Sequence, residues 1–269
     1  MRILNSSRRA TMEQFDASFV EDGENFDCDL SNLEWVEPYG VVMLGCAVMD
    51  SIERSREVTV EAPTDSNVHS YLSRMGFGDL LNRVGLASPI RQVQQNPMGL
   101  RLVELQSVGD EESADLLCNF VEEKVQTLCD APLLDQFKGS LSELVVNIPF
   151  HANSEGLMCA QVYENVKGRT AKFAVGDWGR GIRATLEDGG IRRSTDGEAI
   201  EEAVQEGVSR FRDRGNGLSA TLKDIHGLGG SISIRSGSAL VTFAGSKPVS
   251  RRTVSHLPGT IVAVEMRCS

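Results

Sequence analysis

Residues able to do chemistry gather in four separated stretches of this sequence. Glu143, Asn147 and His151 recur four apart, so on a helix they stack one above another, a turn at a time. Leu141, Leu144, Val145, Ile148 and Ala152 then share a different, apolar face. A carboxylate in that row can take a proton from an attacking water or hydroxyl. An amide oxygen is a hard ligand suited to Mg²⁺. Taken alone, the same pattern also fits a surface helix with three ordinary polar residues. The second stretch is Asp177-Trp178-Gly179-Arg180-Gly181-Ile182, at the end of an apolar run. Its carboxylate can accept an exocyclic amine, and its glycines let backbone approach a ligand closely. Any glycine-rich turn after a strand could carry this D-x-G-x-G pattern. The third, Arg214-Gly215-Asn216-Gly217-Leu218, opens a helix whose free N–H groups and dipole suit phosphate oxygens, or serves as an ordinary turn into that helix. The fourth is Gly259-Thr260, entering the last apolar strand.

The elements that must position these residues can be read from periodicity. Residues 26–30 and 57–62 alternate as half-buried strands, and the apolar run 41–52 between them suits a helix packed on a sheet. A helix follows, with Val68, Tyr71, Leu72 and Met75 at helical spacing. That order implies a small α/β unit. Pro89 and residues 92–97 read as a linker. Beyond it the spacing predicts a strand at 100–108, helices at 113–128 and 140–152, and a strand at 172–177. Further strands are expected near 231–235 and 261–266, with a less defined one near 239–243. The acidic connection 181–215 is long enough for a lid, with a short amphipathic helix through Ala199, Ile200, Ala203 and Val204. It ends in Arg210, Arg212 and Arg214, any of which could reach a terminal phosphate or stand in a solvated charge cluster.

The order of the four stretches resembles the GHKL superfamily of gyrase-type ATPases, histidine kinases, ninety-kilodalton heat-shock chaperones and anti-sigma-factor kinases. The likeness runs over about 100–268. It implies that Glu143 is a general base, that Asn147 binds Mg²⁺, and that Asp177 reads adenine. It further implies that His151, Gly179, Gly181, Ile182, Arg214, Gly215, Asn216, Gly217, Leu218 and Thr260 contact ATP. Pro149 departs from that pattern, because a proline inside the helix removes a hydrogen bond and tends to kink the axis, which bears most on the aim of His151. Residues 29–40 and 71–77 resemble a STAS domain, the anti-anti-sigma fold. Phosphorylatable members carry a Ser or Thr before the loop glycine, whereas Glu37, Pro38 and Tyr39 precede Gly40 here.

The expectation is therefore an α/β chain, with a STAS-like α/β domain over 1–95 and a Bergerat-type α/β sandwich, a mixed sheet covered by helices, over 96–269. The function it implies is a regulatory switch that binds ATP and Mg²⁺ and a protein partner, with slow hydrolysis. A serine/threonine kinase of the anti-sigma type is the alternative, and a homodimer is compatible with either. A histidine kinase ranks lower, since His69, His151, His226 and His256 sit in nothing resembling that family's phosphoacceptor box.

Composition agrees. A net charge of −11 is a poor basis for nucleic-acid binding, which needs a basic face. No apolar stretch is long enough to span a bilayer, and the first eleven residues lack a signal-peptide core. The six cysteines have no C-x-x-C pairing, so structural thiols and a cytoplasmic setting are expected.

Overall fold

The computed structural model describes residues 2–3, 19–20, 25–94, 101–126, 131–148, 154–166, 168–205 and 217–268. It is a mixed α/β chain with two sheets. The smaller one contains β1 (Arg2–Ile3), β2 (Phe19–Val20), β3 (Phe26–Asp29) and β4 (Val58–Glu61), in the order β2-β1-β3-β4. β1, β3 and β4 are parallel and β2 is antiparallel to β1. A parallel pair needs a crossover, and α1 (Pro38–Glu53) supplies it between β3 and β4. Two short helices follow, α2 (Ser66–Arg74), capped by the Asp65 carboxylate, and α3 (Phe77–Arg83).

The larger sheet has five strands: β5 (Leu102–Val108), β6 (Gly156–Asn165), β7 (Gly168–Asp177), β8 (Ser231–Phe243) and β9 (Pro248–Arg267). Their order is β5-β6-β7-β9-β8, and every neighbouring pair is antiparallel. The expected mixed sheet is thus antiparallel here, because adjacent strands such as β6–β7 and β8–β9 follow one another in sequence and turn straight back. Mixed pairing belongs to the small sheet.

One face of the large sheet is covered by α4 (Glu111–Val125), α5 (Ala131–Asn147) and α8 (Gly217–Gly227). Asp110 starts α4 with a reciprocal hydrogen-bond pair to Ser113, which is why that helix begins two residues before the periodicity does. Leu141, Leu144 and Val145 of α5, with Ile148 just after it, bury against Val103, Met158, Phe173 and Val175 of the strands. The apolar face expected at the end of this helix is therefore present, though α5 starts nine residues earlier than the expected 140.

The opposite face is covered by α1. Val41, Val42, Met43, Leu44, Cys46, Ala47 and Val48 are all buried, on every side of the helix. A helix that is apolar all round must be enclosed. It lies between its own small sheet and β6, β7 and β9 of the large one. Gly45 allows the close approach, since a Cβ there would stand 2.5 Å from Leu157 Cδ1. Leu105, Leu157, Cys159, Ala174 and Ile261 consequently share one apolar cluster with Phe26, Leu72 and Phe77. At roughly 1.5–3 kcal/mol per buried large apolar side chain, this shared cluster contributes heavily to holding the two halves together. The expected boundary between 95 and 96 lies outside the described residues. The preceding segment is tied down, with the Arg91 and Val93 N–H groups donating to His69 Nε2 and Ser73 Oγ.

Candidate functional site

Asp177 ends β7. Phe173 and Val175 point into the cluster under α5, so strand alternation puts Asp177 on the same face. Gly156 lies directly opposite it in register, and a Cβ at 156 would stand 2.5 Å from Ile148 Cδ1. Ile148 follows Asn147. The end of α5 and the end of β7 therefore meet at one end of the helix–sheet layer.

Asp177 is 8% exposed. Burial pushes its carboxyl up to about 7, while the Gly179 and Thr260 backbone N–H groups donate to it and pull the other way. The Gly179 bond is 2.9 Å long. Gly259 makes the contact possible: its φ is +82°, and a Cβ there would stand 2.1 Å from the Asp177 carbonyl oxygen. Glycine is required on both counts.

Gly181, with φ +80°, opens α6 (Gly181–Asp188). Ser236 of β8 ties this turn to the last strand. The Ile182 N–H donates to Ser236 Oγ at 2.9 Å, and the Ser236 hydroxyl donates to the Gly259 carbonyl at 3.1 Å. Thr260 Oγ1 is 3.2 Å from Ser236 Oγ. Three stretches distant in sequence, 177–182, 236 and 259–260, thus form one hydrogen-bonded cluster. Sequence reasoning missed Ser236. No local signal marks it, because its hydrogen-bond partners lie at 182, 259 and 260.

The other expected residues divide. Glu143 is exposed and Asn147 half-buried, one turn apart on α5, and neither side chain takes a hydrogen bond or ion pair among the described residues. Gly217 begins α8, and Leu218 packs against the cluster under that helix. His151, Arg214, Gly215 and Asn216 lie outside the described residues, as do Pro149, Arg210 and Arg212. Among the described residues no group of three or more His, Cys, Asp or Glu side chains assembles as a metal site.

The connection expected to form a lid is docked as far as Gln205. Ala199 and Ile200 of α7 (Asp196–Ala203) are buried, Ile200 with Ala239 and Val241 of β8. The Asp196 carboxylate accepts the Ser238 N–H at 2.8 Å. Residues 206–216 lie outside the described residues. Cys28, Cys46, Cys159 and Cys268 are buried free thiols, Cys118 is half-buried, and Cys129 lies outside the described residues. Burial raises the Cys46 and Cys159 thiols far above neutrality, so they stay protonated and behave as small apolar groups.

Among known proteins, the sequence matches no family model and no curated protein.

Proposed function

We propose that the Asp177 cluster is the base end of a GHKL-type nucleotide pocket, and that the chain is an ATP- and Mg²⁺-dependent regulatory switch acting on a protein partner. The observation that carries this reading is the joining of Asp177, Gly179 and Thr260 through one buried carboxylate. A carboxylate there is an acceptor for the exocyclic amine of adenine, and the Thr260 backbone N–H already donates to it. The chemistry of the residues fits the rest of Mg-ATP as well. Asn147 offers one hard oxygen, which is enough for an ion that draws its other ligands from phosphates and water. Gly217 opens α8 with backbone N–H groups that suit phosphate oxygens. Bound ATP would supply the transferable phosphoryl group, and Glu143, exposed on α5, could then take a proton from a water or hydroxyl.

The β3–α1–β4 crossover supports the STAS-like reading of the first half. Pro38 and Tyr39 are buried in the first turn of α1, and the Glu37 carboxylate is engaged by Lys172. No Ser or Thr stands at those positions and the Tyr39 side chain is buried, which favours a fixed docking unit over a phosphorylation substrate. The second reading is a serine/threonine kinase of the anti-sigma type, favoured by the exposure of Glu143.

Incubation with ATP labelled on its γ-phosphate, alone and with cell lysate, separates these. Free labelled phosphate indicates hydrolysis, a labelled second protein a kinase, and binding without either a switch. Absence of ATP binding by calorimetry removes both readings.

A further inference from the structure

Trp178 follows Asp177, yet its ring points away from the cluster just described. It is 4% exposed and lies among the apolar side chains shared by α1 and the sheet. Its Nε1–H donates to Glu53 Oε1 at 2.6 Å, and Glu53 is the last residue of α1. The other end of α1 is fixed to the same strand, because Lys172 Nζ donates to Glu37 Oε1 and Oε2 at 2.8 and 3.0 Å. From 37 to 53 a helix rises about 24 Å. From 172 to 178 a strand spans about 20 Å. α1 therefore lies along β7 with an anchor at each end. Between the anchors, Gly176 lets α1 touch the strand: a Cβ there would stand 2.7 Å from Val42 Cγ1 and 3.2 Å from Cys46 Sγ. The residue before Asp177 rests on α1, and the residue after it is held by α1.

We propose that the N-terminal unit sets the nucleotide affinity of the Asp177 site through Trp178. Glu53 holds the indole, the indole fixes the backbone of 177–179, and that backbone aims the Asp177 carboxylate and the Gly179 N–H that supports it. Trp178 and Glu53 are positioning residues, and the inference rests on reading the Asp177 cluster as a nucleotide pocket. α1 also carries β3 and β4, so a protein that shifts this unit changes nucleotide affinity, and nucleotide changes the affinity for that protein by the same factor.

The test uses the full chain in a Trp35→Phe background, which leaves Trp178 as the only indole of the two in the sequence. Mg-ADP is titrated by calorimetry and by Trp178 emission. The emission is expected to change on saturation. Glu53→Ala and Trp178→Phe should each weaken Mg-ADP about tenfold, or ~1.4 kcal/mol. The double variant should be no weaker than the worse single one. Glu53→Gln, which keeps an acceptor oxygen, should stay within about threefold of the parent. If Trp178→Phe does not fold, the emission change and the two Glu53 variants decide the matter. Parental affinity in Glu53→Ala and Trp178→Phe, with the parent binding Mg-ADP, overturns the coupling and leaves the pocket reading standing. A parent that binds neither Mg-ADP nor Mg-ATP overturns the pocket reading, and the coupling with it.

Discussion

Around Asp177, three chain segments are locked together by backbone and hydroxyl hydrogen bonds, two glycines sit at positive φ, and the carboxylate is withdrawn from water. At the end of α5, Glu143 and Asn147 stand one turn apart on a helix whose opposite face does the packing. The first region is organised before any ligand arrives. In the second, Glu143 is exposed and Asn147 half-buried, with no side-chain hydrogen bond or ion pair among the described residues. If the first region reads a base, its fixed donors and acceptors would select it, and the less constrained side chains of the second would follow a metal ion and a phosphate chain. On the proposed reading, changes at the first region should damage folding and base selectivity, and changes at the second should damage metal dependence and turnover alone.

The largest effect is expected from Gly259→Ala. Its backbone angle and the 2.1 Å approach to the Asp177 carbonyl leave no room for a methyl group. Chemical denaturation should register a loss of about 3 kcal/mol or more. Gly217→Ala, at the first turn of α8, should change stability by no more than ~1 kcal/mol. Equal costs at the two glycines would show that the tight approach at Gly259 does not constrain the Asp177 cluster.

Asp177→Asn comes next. It should weaken ATP by about 1–3 kcal/mol, the range for a buried hydrogen bond to a charged group. The pH dependence follows from the same carboxyl, held up to about 7 by burial. Because an unfolded aspartate titrates near ~3.9, the stability this group contributes is fully present below that pH and is lost as pH rises through its folded value. ATP affinity runs the other way, since the ionised carboxylate is the better acceptor. It should rise about tenfold from pH 6 to pH 8, following the ionised fraction. Calorimetry should find that added rise gone in Asp177→Asn, which corrects for titration of the phosphates.

The smallest change in binding belongs to Glu143 on α5. Glu143→Gln should leave ATP affinity within ~0.5 kcal/mol, as for most exposed substitutions, and stop turnover. Asn147→Ala should bring affinity with Mg²⁺ down to the affinity without it. Parental hydrolysis by Glu143→Gln removes that residue as the base.

Much of this arrangement was legible in the sequence where one face of an element is wet. β3, β4 and the apolar stripe of α5 fall within a few residues of the periodic pattern, because alternation and helical spacing survive when half the side chains meet water. β6 was not legible. Leu157 and Cys159 pack under α1 and Met158 and Ala160 under α5, so both faces are apolar and nothing alternates. The same cause hid the sandwiching of α1 between two sheets. β8 runs from Ser231 to Phe243 across Gly237, which has φ +57° and lacks the Cβ that would stand 2.4 Å from the Asp196 carboxylate; glycine and serine there read as a break. The docking of α7 was concealed by its acidic surface, since Glu198, Glu201 and Glu202 outweigh the few apolar residues that bury. At the site, Asp177 and Gly259 were identifiable by residue type and order. Ser236 and Trp178 act through partners 23 or more residues away, and no local pattern announces them.

Base selectivity of the intact chain tests the central claim most directly. Titrated by calorimetry with Mg²⁺ present, ATP should bind and GTP should bind at least tenfold more weakly, because guanine presents an oxygen acceptor where adenine presents the amine that Asp177 would accept. Equal affinities for ATP and GTP, or ATP binding that Asp177→Asn leaves unchanged, would contradict the account.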